Sequence, residues 1–215
     1  MATEALHAYW DGFYASRAAG AVPGDPSPFA GWVDDRVPAG VTVAEFGFGT
    51  ARDALHFAQG GHPVLGFDFA ESAVERARAL AAEHALPATF EGLDLYDAQA
   101  VSVVAEQLGR VDGLVVYGRF LIHSLEDEGR GNLLDLASKS LAHGGELLLE
   151  FRTGQDATAR HVFGDDHFRI YLDPQVVIDE IVARGGRITH VEAGHGLAVY
   201  RTEDPHVARL AARWA

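Results

Sequence analysis

The sequence predicts an α/β fold built on a mostly parallel sheet. Three observations carry this. From Val41 onward, short apolar runs alternate with helical stretches; the first run ends on a Gly-x-Gly turn leading straight into a helix; the second ends on an acidic residue, Asp68. Continuous apolar strands joined by crossover helices belong to parallel sheets covered on both faces. A chain of 215 residues, 48% hydrophobic and 22% charged, can bury one substantial core, so one compact domain is expected.

Taken in order, Leu6, Tyr9, Trp10, Phe13 and Tyr14 recur at helical spacing and predict an amphipathic helix over 3–18. The glycines and prolines of 20–28 break regular structure, and Phe29, Trp32 and Val33 then mark a short helix. Strands are predicted at 41–46, 63–67, 88–91, 111–117 and 145–151, with helices at about 51–60, 71–84, 97–108 and 127–142 between them. A polar stretch at 153–167 precedes a further strand at 168–172 and a helix opened by Asp173 as N-cap and Pro174 at its first position. Strands near 187–193 and 197–202, broken by Gly194 and Gly196, read as an antiparallel hairpin at the sheet edge, and 205–214 as a short helix.

Composition removes several function classes. The formal net charge of −14 repels a phosphate backbone and no basic run opposes it, so nucleic acid is not the expected partner. No apolar run reaches the roughly 18 residues of a membrane span and the start lacks a secretory pattern, so neither membrane insertion nor export is expected, and a cytoplasmic location is. With no cysteine there is no disulfide framework, thiolate nucleophile or thiolate metal site. His161, His167, His190 and His195 lack metal-ligand spacing, so no metal is expected.

Val41-Thr-Val-Ala-Glu-Phe-Gly-Phe-Gly-Thr50 is a buried strand ending in Glu45 and a turn whose glycines, Gly47 and Gly49, allow close approach of a ligand to the backbone. Asp68 closes the next strand, where a carboxylate can accept both hydroxyls of a ribose. Arg52 stands where a dinucleotide fingerprint wants a third glycine, which disfavours NAD. With these residues the chain resembles the class I S-adenosylmethionine (SAM) dependent methyltransferases. Glu45, Gly47 and Gly49 correspond to their first motif and Asp68 to their ribose-binding acid. Phe69 corresponds to the apolar neighbour of the adenine, and Asp94 and Leu95 to the turn whose acid meets the adenine amino group. Tyr117 and Gly118 end the strand whose main chain meets the methionine end. The resemblance spans about 41–152. It implies a Rossmann-like, seven-stranded, mostly parallel sheet with an antiparallel edge strand and helices on both faces. It also implies SAM as cofactor and S-adenosylhomocysteine as product. Residues 1–40 then form a helical cap over the active site and 41–215 the SAM-binding domain.

The acceptor side is read from what should cover the carboxyl ends of the strands. Tyr9, Trp10, Tyr14 and Phe29 come from the N-terminal segment, and the Trp and Tyr bearing helix adds a resemblance to the thiopurine methyltransferase-like group. Tyr14 is taken as a cofactor contact, because a buried hydroxyl needs a partner. Arg52 either holds the methionine carboxylate or pairs on the surface. Arg119, Arg152 and Arg169, with Tyr171, suggest a clamp for an anionic acceptor; the alternative is that each arginine pairs with an acid such as Asp156. His123 and then His167 are the candidate general bases, although a lone histidine at such a place is more often a hydrogen-bonding or packing residue. A carboxylate nucleophile would need no base. The expected function is methyl transfer to an oxygen of a small anionic metabolite, by a monomer or homodimer. The competing functions are a nucleotide-linked oxidoreductase and a SAM-binding protein without turnover.

Overall fold

The computed structural model describes residues 8–10, 12–13, 24–157 and 169–214. Seven strands, β1 (Val43–Phe46), β2 (Val64–Asp68), β3 (Ala88–Gly92), β4 (Val115–Arg119), β5 (Glu146–Arg152), β6 (Arg187–Gly194) and β7 (Val207–Arg213), form one sheet in the order β3-β2-β1-β4-β5-β7-β6. The first five run parallel, and β7 is antiparallel to both its neighbours. The predicted Rossmann-like class is therefore the observed one.

Because successive side chains of a strand point to opposite faces, each central strand feeds two cores. Ala44, Phe46, Val116, Leu147 and Leu149 pack under α4 (Ala98–Leu108), α5 (Asp127–Ser140) and α6 (Pro174–Ala183). Val43, Val115, Tyr117 and Leu148 pack under α1 (Pro28–Asp34), α2 (Arg52–Gln59) and α3 (Glu71–Glu83). The reversal of strand order between β1 and β4 leaves a crevice at their carboxyl ends, where ligands of open α/β sheets bind.

Strand β5 is buried along its whole length, yet one of its faces carries Glu146, Glu150 and Arg152. Buried charge persists only when paired. Neighbouring strands and loops supply the partners: Thr189 and Arg213 for Glu146, Arg119 and Arg209 for Glu150, Asp156 and Glu203 for Arg152.

Three predicted elements are corrected. Of the 168–172 strand, the described residues form only an isolated bridge between Leu172 and Thr153. The 197–202 strand reduces to a bridge between Tyr200 and Glu203, so the hairpin partner of β6 lies elsewhere. It is the tail: 205–214 holds β7, not a helix, inserted between β5 and β6. Among the described residues no helix is long and apolar enough to cross a membrane.

Helix α1 is tied to the crevice through its cap. Ser27 Oγ accepts the Ala30 N–H at 3.0 Å and donates to Asp53 Oδ2 at 2.7 Å. Ser27→Ala removes the cap and one donor to a buried carboxylate, so we expect a loss of about 1–2 kcal/mol in urea unfolding. A change within about 0.3 kcal/mol would show the cap to be idle.

Candidate active site

Two adjoining cavities open at the carboxyl ends of β1 and β4. The smaller is largely apolar, with Phe46, Phe67, Phe69, Leu93, Leu95 and Leu125 in its walls and Asp68 and Asp94 as its acids. The larger is the more polar of the two, with Glu45, Arg52, Arg119, His123, Arg152 and Arg169 among its walls. Trp10, Gly47, Phe120 and Ser124 border both, so the two are one continuous crevice.

The Gly-x-Gly turn forms the floor. Gly47 has φ +65° and Gly49 φ +55°, conformations that favour glycine. A Cβ on Gly47 would lie 2.6 Å from Leu121 Cδ1, so the tip of that side chain would have to shift. The Gly49 N–H donates to Asp68 Oδ2 at 2.8 Å and the Ala70 N–H to Oδ1 at 3.0 Å, which turns the Asp68 carboxylate toward the glycine turn. Burial pushes Asp68 up to about 6, against the lowering effect of those backbone donors. Asp94 is held by the Tyr96 N–H at 2.9 Å on the wall of the apolar cavity.

Glu45 is buried, and its Oε2 has no hydrogen-bond partner. Burial, reinforced by the nearby charge of Asp53, raises its carboxyl well above the usual range. A buried acceptor without a donor costs roughly 1–3 kcal/mol, which a cationic ligand group would recover. Asp53 lies below, accepting from the Ser27 N–H, the Ser27 hydroxyl and the Tyr117 hydroxyl, each at 2.7 Å. Arg52 Nε stands 3.6 Å from Asp53 Oδ1, and burial, with Arg119 beside it, lowers the Arg52 guanidinium.

These residues fit SAM in a physically specific way. An apolar slot ending in two acids suits an adenosine, with Asp68 for the ribose hydroxyls. The orphaned Glu45 oxygen suits an ammonium and Arg52 a carboxylate. When bound, the cofactor supplies an electrophilic methyl on a sulfonium; the chain's part is to orient it and exclude water.

The other expected site residues divide. Trp10 lines both cavities, while Tyr9 packs edge-on against Trp10 at 5.2 Å and lines neither. Tyr14 and His167 lie outside the described residues. Phe29 is not at the acceptor side: it is wholly buried, stacked on Tyr117 at 5.1 Å. The Tyr117 ring likewise points into that core, and the residue lines neither cavity. Tyr171 is half-buried beside Arg169 and does not line the crevice.

The arginines separate as well. Arg152 is gripped by Asp156 and Glu203, each at 2.5 Å, so its charge is spent within the protein. Arg119 gives its Nε to Glu150 Oε1 at 2.9 Å, and its guanidinium lies 4.0 Å over the Phe120 ring. Arg169 is lowered by burial and by Arg152. His123 is buried, and its Nδ1 accepts the Arg152 N–H at 3.2 Å, so the neutral ring carries its hydrogen on Nε2. A ring in that tautomer donates at Nε2 and is not poised there as a base.

Phe120, absent from the expected set, borders both cavities. It has φ +54°, a strained value for a bulky residue, fixed by its N–H to Glu150 O at 2.8 Å. Nothing in the residue order signals that strain. Glu203 and Tyr200 reach the larger cavity from the 195–206 connection, also missed because that stretch reads as a strand.

A family model for a methyltransferase domain matches residues 43–145. No curated protein matches the chain. Among solved structures, a SAM-dependent methyltransferase from Anabaena variabilis superposes with a TM-score of 0.74 at 16% identity, covering 100% of this chain and 96% of that one. The glycopeptide N-methyltransferase MtfA in complex with SAM gives 0.65 at 18% identity, covering 89% and 88%. The [4+2]-cyclase SpnF gives 0.65 at 17% identity, covering 86% and 79%. At such identities the superpositions speak for the fold, and the domain match covers Glu45, Asp68 and the turn after β3 that carries Asp94. Residues 43–145 therefore match a methyltransferase domain, carried on the fold that these SAM-dependent methyltransferase structures share.

Proposed function

We propose that this enzyme transfers the methyl group of SAM in line to an oxygen of a small anionic acceptor. In this reading the segment that carries Trp10 and Phe13 caps the site, while α1 packs with the SAM-binding domain of 41–215. One observation supports the acceptor class above all. Arg119 is anchored through Nε alone, and among the described residues its two terminal nitrogens have no protein partner at the wall of the larger cavity. A guanidinium fork held in this way suits a carboxylate or phosphate. The net charge of −14 argues against a nucleic-acid acceptor. Positioning alone is worth roughly 7–11 kcal/mol in such a displacement, because the sulfonium already leaves readily.

The test is a screen of acidic and hydroxylated metabolites for S-adenosylhomocysteine formation, beside calorimetric titration with SAM and with NAD(H). We expect SAM to bind, NAD(H) not to bind, and anionic acceptors to be turned over in preference to neutral ones. Turnover restricted to neutral or cationic acceptors would end the anionic reading. The likeness to a protein described as a cyclase favours one second reading, cofactor binding without methyl transfer. Binding of SAM with no product from any acceptor would select it.

A further inference from the structure

Resting on the methyl-transfer reading, we propose that the attacking atom is a carboxylate oxygen of the acceptor, held by Arg119, so that the product is a methyl ester. Two features carry this. The first is a charge left over. Arg119, Glu150 and Arg209 face one another across β4, β5 and β7, where the pairing register places Glu150 opposite both arginines. Glu150 gives one oxygen to each, Oε1 to Arg119 Nε and Oε2 to Arg209 Nε, both at 2.9 Å. Arg209 spends a further donor on Leu197 O at 2.6 Å. Two guanidiniums and one carboxylate leave a single positive charge, and the free ends of the trio are the terminal nitrogens of Arg119 in the cavity wall. Burial alone would lower the Arg119 guanidinium, but Glu150 and Asp53 hold it above its ordinary value, so the charge stays.

The second feature is the tautomer of His123. Its Nδ1 lone pair is taken by the Arg152 N–H, a backbone donor that cannot rotate away. With Nδ1 taken and the hydrogen on Nε2, the neutral ring offers no lone pair to a hydroxyl that must lose its proton, whereas a carboxylate needs none. Arg152, paired with two carboxylates, Asp156 and Glu203, adds no positive charge. A guanidinium fork with one unspent charge, beside a histidine that offers no base, is a seat for a carboxylate that reacts as it stands.

The step balances without a base. A carboxylate lone pair forms the oxygen–methyl bond while the methyl–sulfur bond breaks and its electron pair passes to sulfur. The carboxylate and sulfonium charges cancel and no proton is released. The neutral ester no longer matches the Arg119 charge, which favours its departure.

The experiment uses the S-adenosylhomocysteine-loaded protein, titrated with benzoate, phenylacetate and hexanoate and with their primary amides. At least one carboxylate is expected to bind about tenfold or more tightly than its amide. Arg119→Gln should remove that preference, a loss of about 10- to 100-fold, while S-adenosylhomocysteine still binds. With SAM labelled in its methyl group, the carboxylate that binds should take up label that mild alkali releases as methanol. Equal binding of acid and amide would overturn the proposal. So would a preference that survives Arg119→Gln, loss of S-adenosylhomocysteine binding in that variant, no transfer to the bound acid, or alkali-stable label. Alkali-stable label leaves methyl transfer standing, whereas a parent protein that does not take up S-adenosylhomocysteine removes both readings.

Discussion

Asp68→Asn is expected to weaken S-adenosylhomocysteine binding by about 100-fold, roughly 3 kcal/mol, at pH 7.5. The carboxylate is turned to the glycine turn by the Gly49 and Ala70 N–H groups, and an ionised carboxylate retains lone pairs for two ribose hydroxyls. An amide offers one acceptor oxygen, and its NH₂ would oppose the donors already in place. The parent protein should show the same dependence through pH. Asp68 is pushed up to about 6 from 3.8 by burial, so the folded protein holds this proton more firmly than the unfolded chain does. Between those two values the folded state binds more protons, and this group's contribution to stability falls as pH rises through that window and is constant above about 6. Ligand binding has the opposite sign, because the ribose hydroxyls need the ionised form. Affinity should be flat above pH 6 and fall by up to about tenfold per unit below it. Calorimetric titration from pH 5 to 7.5 checks this; equal affinity across that range would remove Asp68 from the ribose site.

The residues of this prediction were legible in the sequence because they are local. Glu45, Gly47, Gly49 and Asp68 each sit at the end of a strand whose apolar run announces it, and the turn chemistry follows within a few positions. What stayed hidden depends on partners far along the chain. Val207-Ala-Arg-Leu-Ala-Ala-Arg213 has the composition of a helix, and its own propensity favours one. It is a strand because β5 and β6 leave a slot between them that buries nearly all of it. Arg152 looked like an acceptor ligand until its two acids were located, and one of them, Glu203, arrives from the far end of the chain. Phe29 and Tyr117 belong to an aromatic cluster that no periodicity distinguishes from a binding stripe.

Glu150 illustrates the same dependence on distant partners, and it carries the second large effect. Its side chain is 0% exposed and holds Arg119 and Arg209 at the same time. Glu150→Leu leaves two buried guanidiniums without a counter-ion, and removing one member of a buried ionic set costs about 3–5 kcal/mol. For a chain of this size that corresponds to a fall in Tm of roughly 10 °C. Replacing the whole trio, with Arg119→Met and Arg209→Met added to Glu150→Leu, removes the stranded charges as well. We expect this triple variant to recover to within about 1 kcal/mol of the parent, since well-packed apolar residues often match or exceed a buried ionic set. It should still bind S-adenosylhomocysteine and should no longer transfer a methyl group to an anionic acceptor. That contrast separates two reasons for keeping three charges inside a sheet. If the trio existed for stability, the triple variant would be as unstable as the single one. If it exists to hold an unspent positive charge against the crevice, stability returns and turnover does not. Thermal melts of the parent, single and triple proteins beside an S-adenosylhomocysteine formation assay read both quantities, and a single variant within about 1 kcal/mol of the parent would show that the ladder across β4, β5 and β7 does neither.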